Sequence, residues 1–368
     1  MKLAEAISQE SAKEVLRSFV EADRLPHAML LLGPEGSGKL ALALAFAQYV
    51  NCTNRRKGDS CGECANCRRS SQLAHPDLHF SFPTVGPKAS SSLFLEQWRQ
   101  MIRQSPYFSV NDWLQFIGAE NKQGNITKEE CVQIVKKLSL KASANDYKIL
   151  LMWMPEYLGK EGNRLLKLIE EPPENTLFIL VAERQELILN TILSRCQLVQ
   201  TPGLTDEMVR TGLQHLLKVD KEQAEQFARL ASGNLTEGLK LAQQSEGNHA
   251  RLFLQWMRIC YRGQAAELVE WANGLSKKTG REEQKHFLRY ALHFSRELIA
   301  SSKGQQLPRL GEKEAETAKN MEKVFSPAKV SEMAGLFNEH IYFIERNANP
   351  KILFLDLSLQ MHRLMRSA

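Results

Sequence analysis

Along the first half of the chain, the spacing of apolar positions switches repeatedly between helical and strand periods. Residues 8–22 carry Val15, Leu16, Phe19 and Val20 at helical spacing, which predicts an amphipathic helix with these four on its inner side. Ala28–Leu32 is an unbroken apolar run, as expected of a strand buried on both faces, and Leu40–Val50 returns to helical period. Leu78–Phe82 alternates like a strand. Ile126–Leu140 reads as a helix with Thr127 at its N-cap and Ile134, Val135 and Leu138 inside. Tyr147–Trp153 and Thr176–Ala182 are further apolar strands, and Cys196–Val199 is a last one. Strands separated by helices predict an α/β core with a parallel sheet. Trp98–Ile117 holds Trp98, Tyr107, Phe108, Trp113 and Phe116, and is expected to pack as a small local excursion because few basic residues interleave.

After Thr205 the strand period disappears. Asp206–Leu217 and Lys221–Ala231 read as helices, with Gly233 at a C-terminal stop. Ser245–Asn248 looks like a linker, and helical period then runs through residues 249–261, 264–276, 281–302, 312–323, 329–346 and 350–366. The expected division is 1–203, 204–245 and 246–368.

Composition narrows the class. The chain has 368 residues, 43% hydrophobic and 24% charged, with a net charge of +6. Such a balance permits nucleic-acid contact without establishing it. No run of about eighteen apolar residues exists, and Met1–Ala6 lacks the apolar core of a signal peptide, so a cytoplasmic, non-membrane protein is expected.

Three features carry chemistry. Gly33-Pro34-Glu35-Gly36-Ser37-Gly38-Lys39 stands between a strand and a helix, the arrangement of a phosphate-binding loop. Glycines let backbone N–H groups approach phosphate, the helix N-terminus adds positive potential, and Lys39 supplies a point charge. The competing reading is a glycine-rich turn with an incidental lysine. The loop lacks one part: Leu40 stands where a Ser or Thr hydroxyl would ligate Mg²⁺. The strand ending at Trp153 lacks another, since an Asp belongs at its end and the nearest acid is Glu156, three residues on.

Of seven cysteines, Cys52, Cys61, Cys64 and Cys67 fall within sixteen residues. Two successive C-x₂-C steps among polar neighbours suit a tetrahedral Zn²⁺ site on an exposed knuckle, with an iron–sulfur cluster as the other possibility. Four protein ligands leave no open position, so the metal's role is structural.

Asn163-Arg164-Leu165-Leu166-Lys167-Leu168-Ile169-Glu170-Glu171-Pro172-Pro173, Ser194-Arg195-Cys196, Leu25-Pro26-His27-Ala28 and the four-cysteine knuckle together resemble the AAA+ clamp-loader subunits of bacterial DNA polymerase III. The likeness is specific through about residue 245. It implies a P-loop AAA+ core, a small helical lid and an all-α collar that joins subunits in a hetero-pentameric ring. The ring would contain tau/gamma motor and delta subunits, and would load a sliding clamp on primed DNA. Within that family, Leu40, Trp153, Ala182-Glu183-Arg184 in place of a polar sensor, and a 232–238 segment without arginine point to the stator rather than the motor. The resemblance then makes Arg195 an arginine finger acting on a neighbour's ATP, with Ser194 orienting its turn. Nucleotide at Gly33, Gly36, Ser37, Gly38 and Lys39 would be weak or absent, and the isolated chain is not expected to be an active ATPase. The alternatives are an ATP-hydrolysing motor of the same loader and a zinc-dependent nucleic-acid-binding module. For Arg195 alone, an ordinary surface ion pair is the competing reading. Glu170-Glu171-Pro172-Pro173 is expected to end a helix and is given no catalysis.

Overall fold

The computed structural model describes residues 1–120, 122–140, 147–243, 248–302, 318, 321 and 325–366. The linker expected at Ser245–Asn248 and the helix expected at 312–323 fall almost wholly outside them. Met1–Lys218 with Ala231–Leu239 form one compact unit, and Val219–Leu230 with Lys240–Ala368 form a second.

The first unit is built on five strands: β1 (Ala28–Leu32), β2 (Leu78–Ser81), β3 (Lys148–Trp153), β4 (Thr176–Ala182) and β5 (Gln197–Gln200). They run parallel in the order β2-β3-β4-β1-β5. Every residue of β1, β3 and β4 is buried, which explains the apolar run of β1 and those that follow Lys148 in β3 and Thr176 in β4. Alternate residues face opposite sides. Met29, Leu31, Ile149, Leu151, Ile179 and Val181 meet the Lys39–Val50 helix on one face. Leu30, Leu150, Met152, Phe178 and Leu180 meet Ile134, Leu138, Leu165, Ile169 and Ile192 on the other.

Two expectations of burial were too broad. Val15 is 40% exposed and Val135 36%, while Leu16, Val20, Ile134 and Leu138 are buried as expected. The inner stripe of each helix is narrower than its apolar spacing suggests. Beside Leu16, the Glu10–Glu21 helix buries Lys13, whose Nζ donates to Ala6 O (2.8 Å) and pairs with Glu10. The aromatic stretch also differs from a local excursion. Trp98 and Trp113, on helices Leu95–Gln104 and Val110–Phe116, are fully buried in the main core. Trp98 stacks on Phe82 at 4.2 Å between ring centres and meets Trp153 at 5.2 Å. This stretch covers one face of the sheet.

The second unit contains the helices Asn248–Arg262, Ala265–Lys278, Arg281–Ser302, Pro327–Glu345 and Pro350–Arg366. Phe253, Trp256, Phe287, Phe294, Phe337 and Phe354 fill its core, and Trp256 Nε1 donates to Ser358 Oγ (2.9 Å). No helix among the described residues is long and apolar enough to cross a membrane.

Candidate functional site

In a parallel sheet, loops after the strands share one edge and loops before them share the other. Gly33–Lys39 after β1, Glu156 after β3 and Glu183 after β4 therefore gather at the C-terminal edge. Glu170 precedes β4 and Arg195 precedes β5, so both lie at the opposite edge. The two groups of residues are a strand's length apart, about 17 Å for the five residues of β1.

The glycine loop has the left-handed backbone its sequence suggests, with φ of +76° at Gly36 and +83° at Gly38. Its close neighbours are protein groups. A Cβ on Gly33 would lie 1.8 Å from Thr201 O, and one on Gly36 1.9 Å from Asn234 Oδ1. Leu235 N–H donates to Gly36 O (3.2 Å), and Gln9 Nε2 donates to Ser37 O (2.9 Å) and Pro202 O (2.7 Å). Tyr107, its hydroxyl pushed up to about 12 by burial, lies against Gly38 and accepts from Ile7 N–H (3.1 Å). Replacing Gly36 with alanine combines a positive φ with a backbone-level clash. A loss of about 1–3 kcal/mol is expected, read as a lower thermal midpoint of the isolated chain.

Lys39 is 5% exposed, and its ammonium donates to Pro34 O (3.0 Å) and to Glu183 Oε1 (3.0 Å). A carboxylate thus sits where a phosphate oxygen would meet this lysine. Glu156 holds the loop that brings it there: Oε1 accepts from Glu183 N–H (2.5 Å) and Arg184 N–H (2.9 Å). Burial raises the Glu156 carboxyl above its ordinary range. This acid, displaced in sequence from the metal position, is a turn anchor. Trp153, at the metal position itself, points into the Trp98–Phe108 cluster, with 5.1 Å between its ring centre and that of Phe108. The side chain of Leu40 is buried and offers no oxygen. Tested against Mg²⁺–ATP, the residues present fit poorly: the Lys39 ammonium is already paired with Glu183, Asn234 crowds Gly36, and neither Leu40 nor Trp153 offers an oxygen to a metal ion.

The four cysteines do fit a metal. One Sγ from each of Cys52, Cys61, Cys64 and Cys67 lies within 4.8 Å of the others. Cys52, Cys61 and Cys67 are buried, and backbone N–H groups of Cys61, Glu63, Cys64 and Cys67 donate to sulfur atoms of the set. N–H groups aimed at sulfur favour thiolates, and clustered thiolates need a cation. Asp59 in the same knuckle accepts from Leu3 N–H (3.0 Å) and Ala4 N–H (2.9 Å), tying the first residues to it. A divalent ion there would supply structural cross-linking.

Arg195 follows the short Asn190–Leu193 helix, which Ile192 pins into the core. Its guanidinium is half-exposed. Nη1 donates to Thr191 O (2.7 Å) and Ser194 Oγ (3.1 Å), and Nη2 pairs with Glu170 Oε1 at 2.5 Å. Ser194 thus touches the guanidinium directly. Burial pushes the neighbouring Cys196 thiol up to about 11, so it packs as an inert filler. Sequence reasoning singled out Lys39, Arg195 and the cysteines but missed Glu183 and Glu170 as their partners. The only sequence signal for Glu183 was its place at the end of a buried strand.

Residues 8–205 match the sequence model of the family described as "DNA polymerase III, delta subunit". The chain is 26% identical over 246 residues to the DNA polymerase III subunit delta' of Bacillus subtilis, covering 66% of this chain and 62% of that protein. It is 27% identical over 248 residues to the DNA polymerase III subunit tau of Escherichia coli, again covering 66% of this chain but 32% of that protein. A DNA polymerase III gamma subunit-related protein of Thermotoga maritima is similar in structure, with a TM-score of 0.46 and 12% identity over 96% of this chain and all of that one.

Proposed function

This chain belongs to the DNA polymerase III clamp-loader family, and we propose that within it the chain is the delta-prime, or stator, subunit. In this role it hydrolyses no ATP of its own and lends Arg195 to a neighbouring motor subunit of the tau/gamma kind. Its likeness to delta' and tau relatives is about equal, so the choice between them rests on the site. The observation that carries it is the opposition of two edges. Lys39 is spent on Glu183 at one, while Arg195 stands half-exposed at the other, a strand's length from any phosphate its own loop could hold. A guanidinium so placed is out of reach of its own loop, and any phosphate it meets belongs to another chain. There its planar fork would match γ-phosphate oxygens and offset charge in the transition state.

The same reading takes residues 204–245 as a lid and 246–368 as the collar that meets tau/gamma and delta subunits. Cys52, Cys61, Cys64 and Cys67 hold a structural Zn²⁺. Clamp and primed DNA are reached through the assembled ring.

The test is ATP turnover with Mg²⁺ by the isolated chain, then by a ring reconstituted with tau/gamma and delta. Stator behaviour is negligible turnover alone and restored, DNA-stimulated turnover together. Sustained turnover by the lone chain, abolished by Lys39→Ala, would make it a motor instead. The Glu183 pairing yields a separate expectation. Glu183→Ala frees a buried ammonium and should raise affinity for a fluorescent ATP analogue by about tenfold, given the worth of a charge-assisted hydrogen bond. Equal binding by the wild type and the variant would remove Glu183 from this role.

A further inference from the structure

The helix Leu166–Glu170 brings its last residue onto Arg195. We infer that Glu170 is the counter-ion that parks the Arg195 guanidinium, and that the neighbour's triphosphate must displace this carboxylate before the finger engages. The inference rests on the proposed role of Arg195.

Glu170 Oε1 is ion-paired with Arg195 Nη2, and it is the one carboxylate paired with Arg195 among the described residues. The other two acceptors, Thr191 O and Ser194 Oγ, are neutral and belong to the arginine's own turn. They can stay with the guanidinium wherever the turn goes, whereas Glu170 belongs to a different element. Both elements are fixed: Ile169 beside the glutamate and Ile192 before the arginine are buried in the same apolar cluster. The pairing is therefore set by the core rather than by two wandering side chains.

Helix electrostatics do not account for the glutamate. A carboxylate in the last turn of a helix faces the negative end of the dipole. Solubility does not require it either, since Glu171 beside it is exposed. What Glu170 does is give a counter-charge to a guanidinium whose other acceptors at the rim are neutral.

A γ-phosphate approaching Arg195 carries the charge Glu170 already offers. Two anions on one guanidinium repel each other at contact distance even in water. Phosphate binding and the Glu170 pairing thus compete, and the ligand's grip is reduced by whatever the pairing is worth. Pairs this exposed are worth up to about 1 kcal/mol, a factor of about five.

The experiment measures the apparent KM for ATP and kcat of the reconstituted ring with Mg²⁺, clamp and primed DNA. Glu170→Gln keeps the side chain's shape and removes its charge. It is expected to lower KM two- to fivefold with kcat unchanged, because the finger in the transition state contacts phosphate alone. The shift should vanish in an Arg195→Ala background. Glu171→Gln, the same charge change one residue on, should leave KM alone. An unchanged KM overturns the inference. So does a shift that survives Arg195→Ala or that Glu171→Gln reproduces, since either is a general field effect. A fall in kcat also overturns it, because Glu170 would then position the finger rather than restrain it. If Arg195→Ala itself leaves turnover untouched, the finger is what fails, and the counter-ion falls with it.

Discussion

A reconstituted ring carrying Arg195→Ala is expected to assemble normally and to hydrolyse ATP at the adjoining site about a thousandfold more slowly, the lower end of what such fingers contribute. The fold should tolerate the change. The guanidinium is half-exposed, and its partners Glu170, Thr191 O and Ser194 Oγ can all reach water once it is gone. The buried support of the turn comes from Ile192. Arg195→Lys separates charge from geometry: a lysine keeps the positive charge but loses the planar fork, so most of the deficit should persist. The measurement is single-site turnover in rings whose other motor sites are inactivated, alongside gel filtration to show assembly. Turnover within twofold of wild type would end the finger proposal.

Removal of the metal should have the next largest effect. The chain is expected to carry one Zn²⁺, read by mass spectrometry of the purified protein, and to lose it with Cys67→Ser or a strong chelator. Cys67 is fully buried, so its serine leaves a poorer donor with no route to water. Structural zinc binding is worth about 10 kcal/mol or more in small domains, and that energy is folding energy. Amide protection across residues 52–73 should therefore fall by about a thousandfold or more in hydrogen exchange, and at Leu3 and Ala4, whose N–H groups are held by Asp59, as well. Acid should release the metal as protons compete for the thiolates. Protection equal to wild type in a metal-free chain would show the knuckle to be stable on its own. Visible charge-transfer absorption in the purified protein would identify an iron–sulfur cluster instead.

Much of this was readable from residue order. All five strands and the helices Asp206–Leu217 and Lys221–Ala231 lie where period and capping residues put them, because local geometry fixes which side chains share a face. The cysteine set was readable because ligand spacing is itself local. Depth of burial was less so. Val15 and Val135 have the right spacing but fall at the margin of their helices' contact with the core, and that margin depends on what packs opposite. Trp98 and Trp113 looked like a local patch since nothing in their own segment reveals that Phe82 and Trp153 complete the cluster.

The sequence by itself determined the parts: a glycine loop with Lys39 but no hydroxyl at Leu40, a strand ending in Trp153, four clustered cysteines, and an arginine after Ser194. Only the tertiary structure decided their pairings. Lys39 and Glu183 are 144 residues apart along the chain, yet 3.0 Å apart in space. Glu170 meets Arg195 because one element ends before β4 and the other before β5, at the same edge of the sheet. Strand order set those encounters and put a strand's length between the two charged sites. Residue spacing encodes faces of single elements, whereas the edge on which two distant loops meet depends on how parallel strands are ordered, which the whole core decides at once.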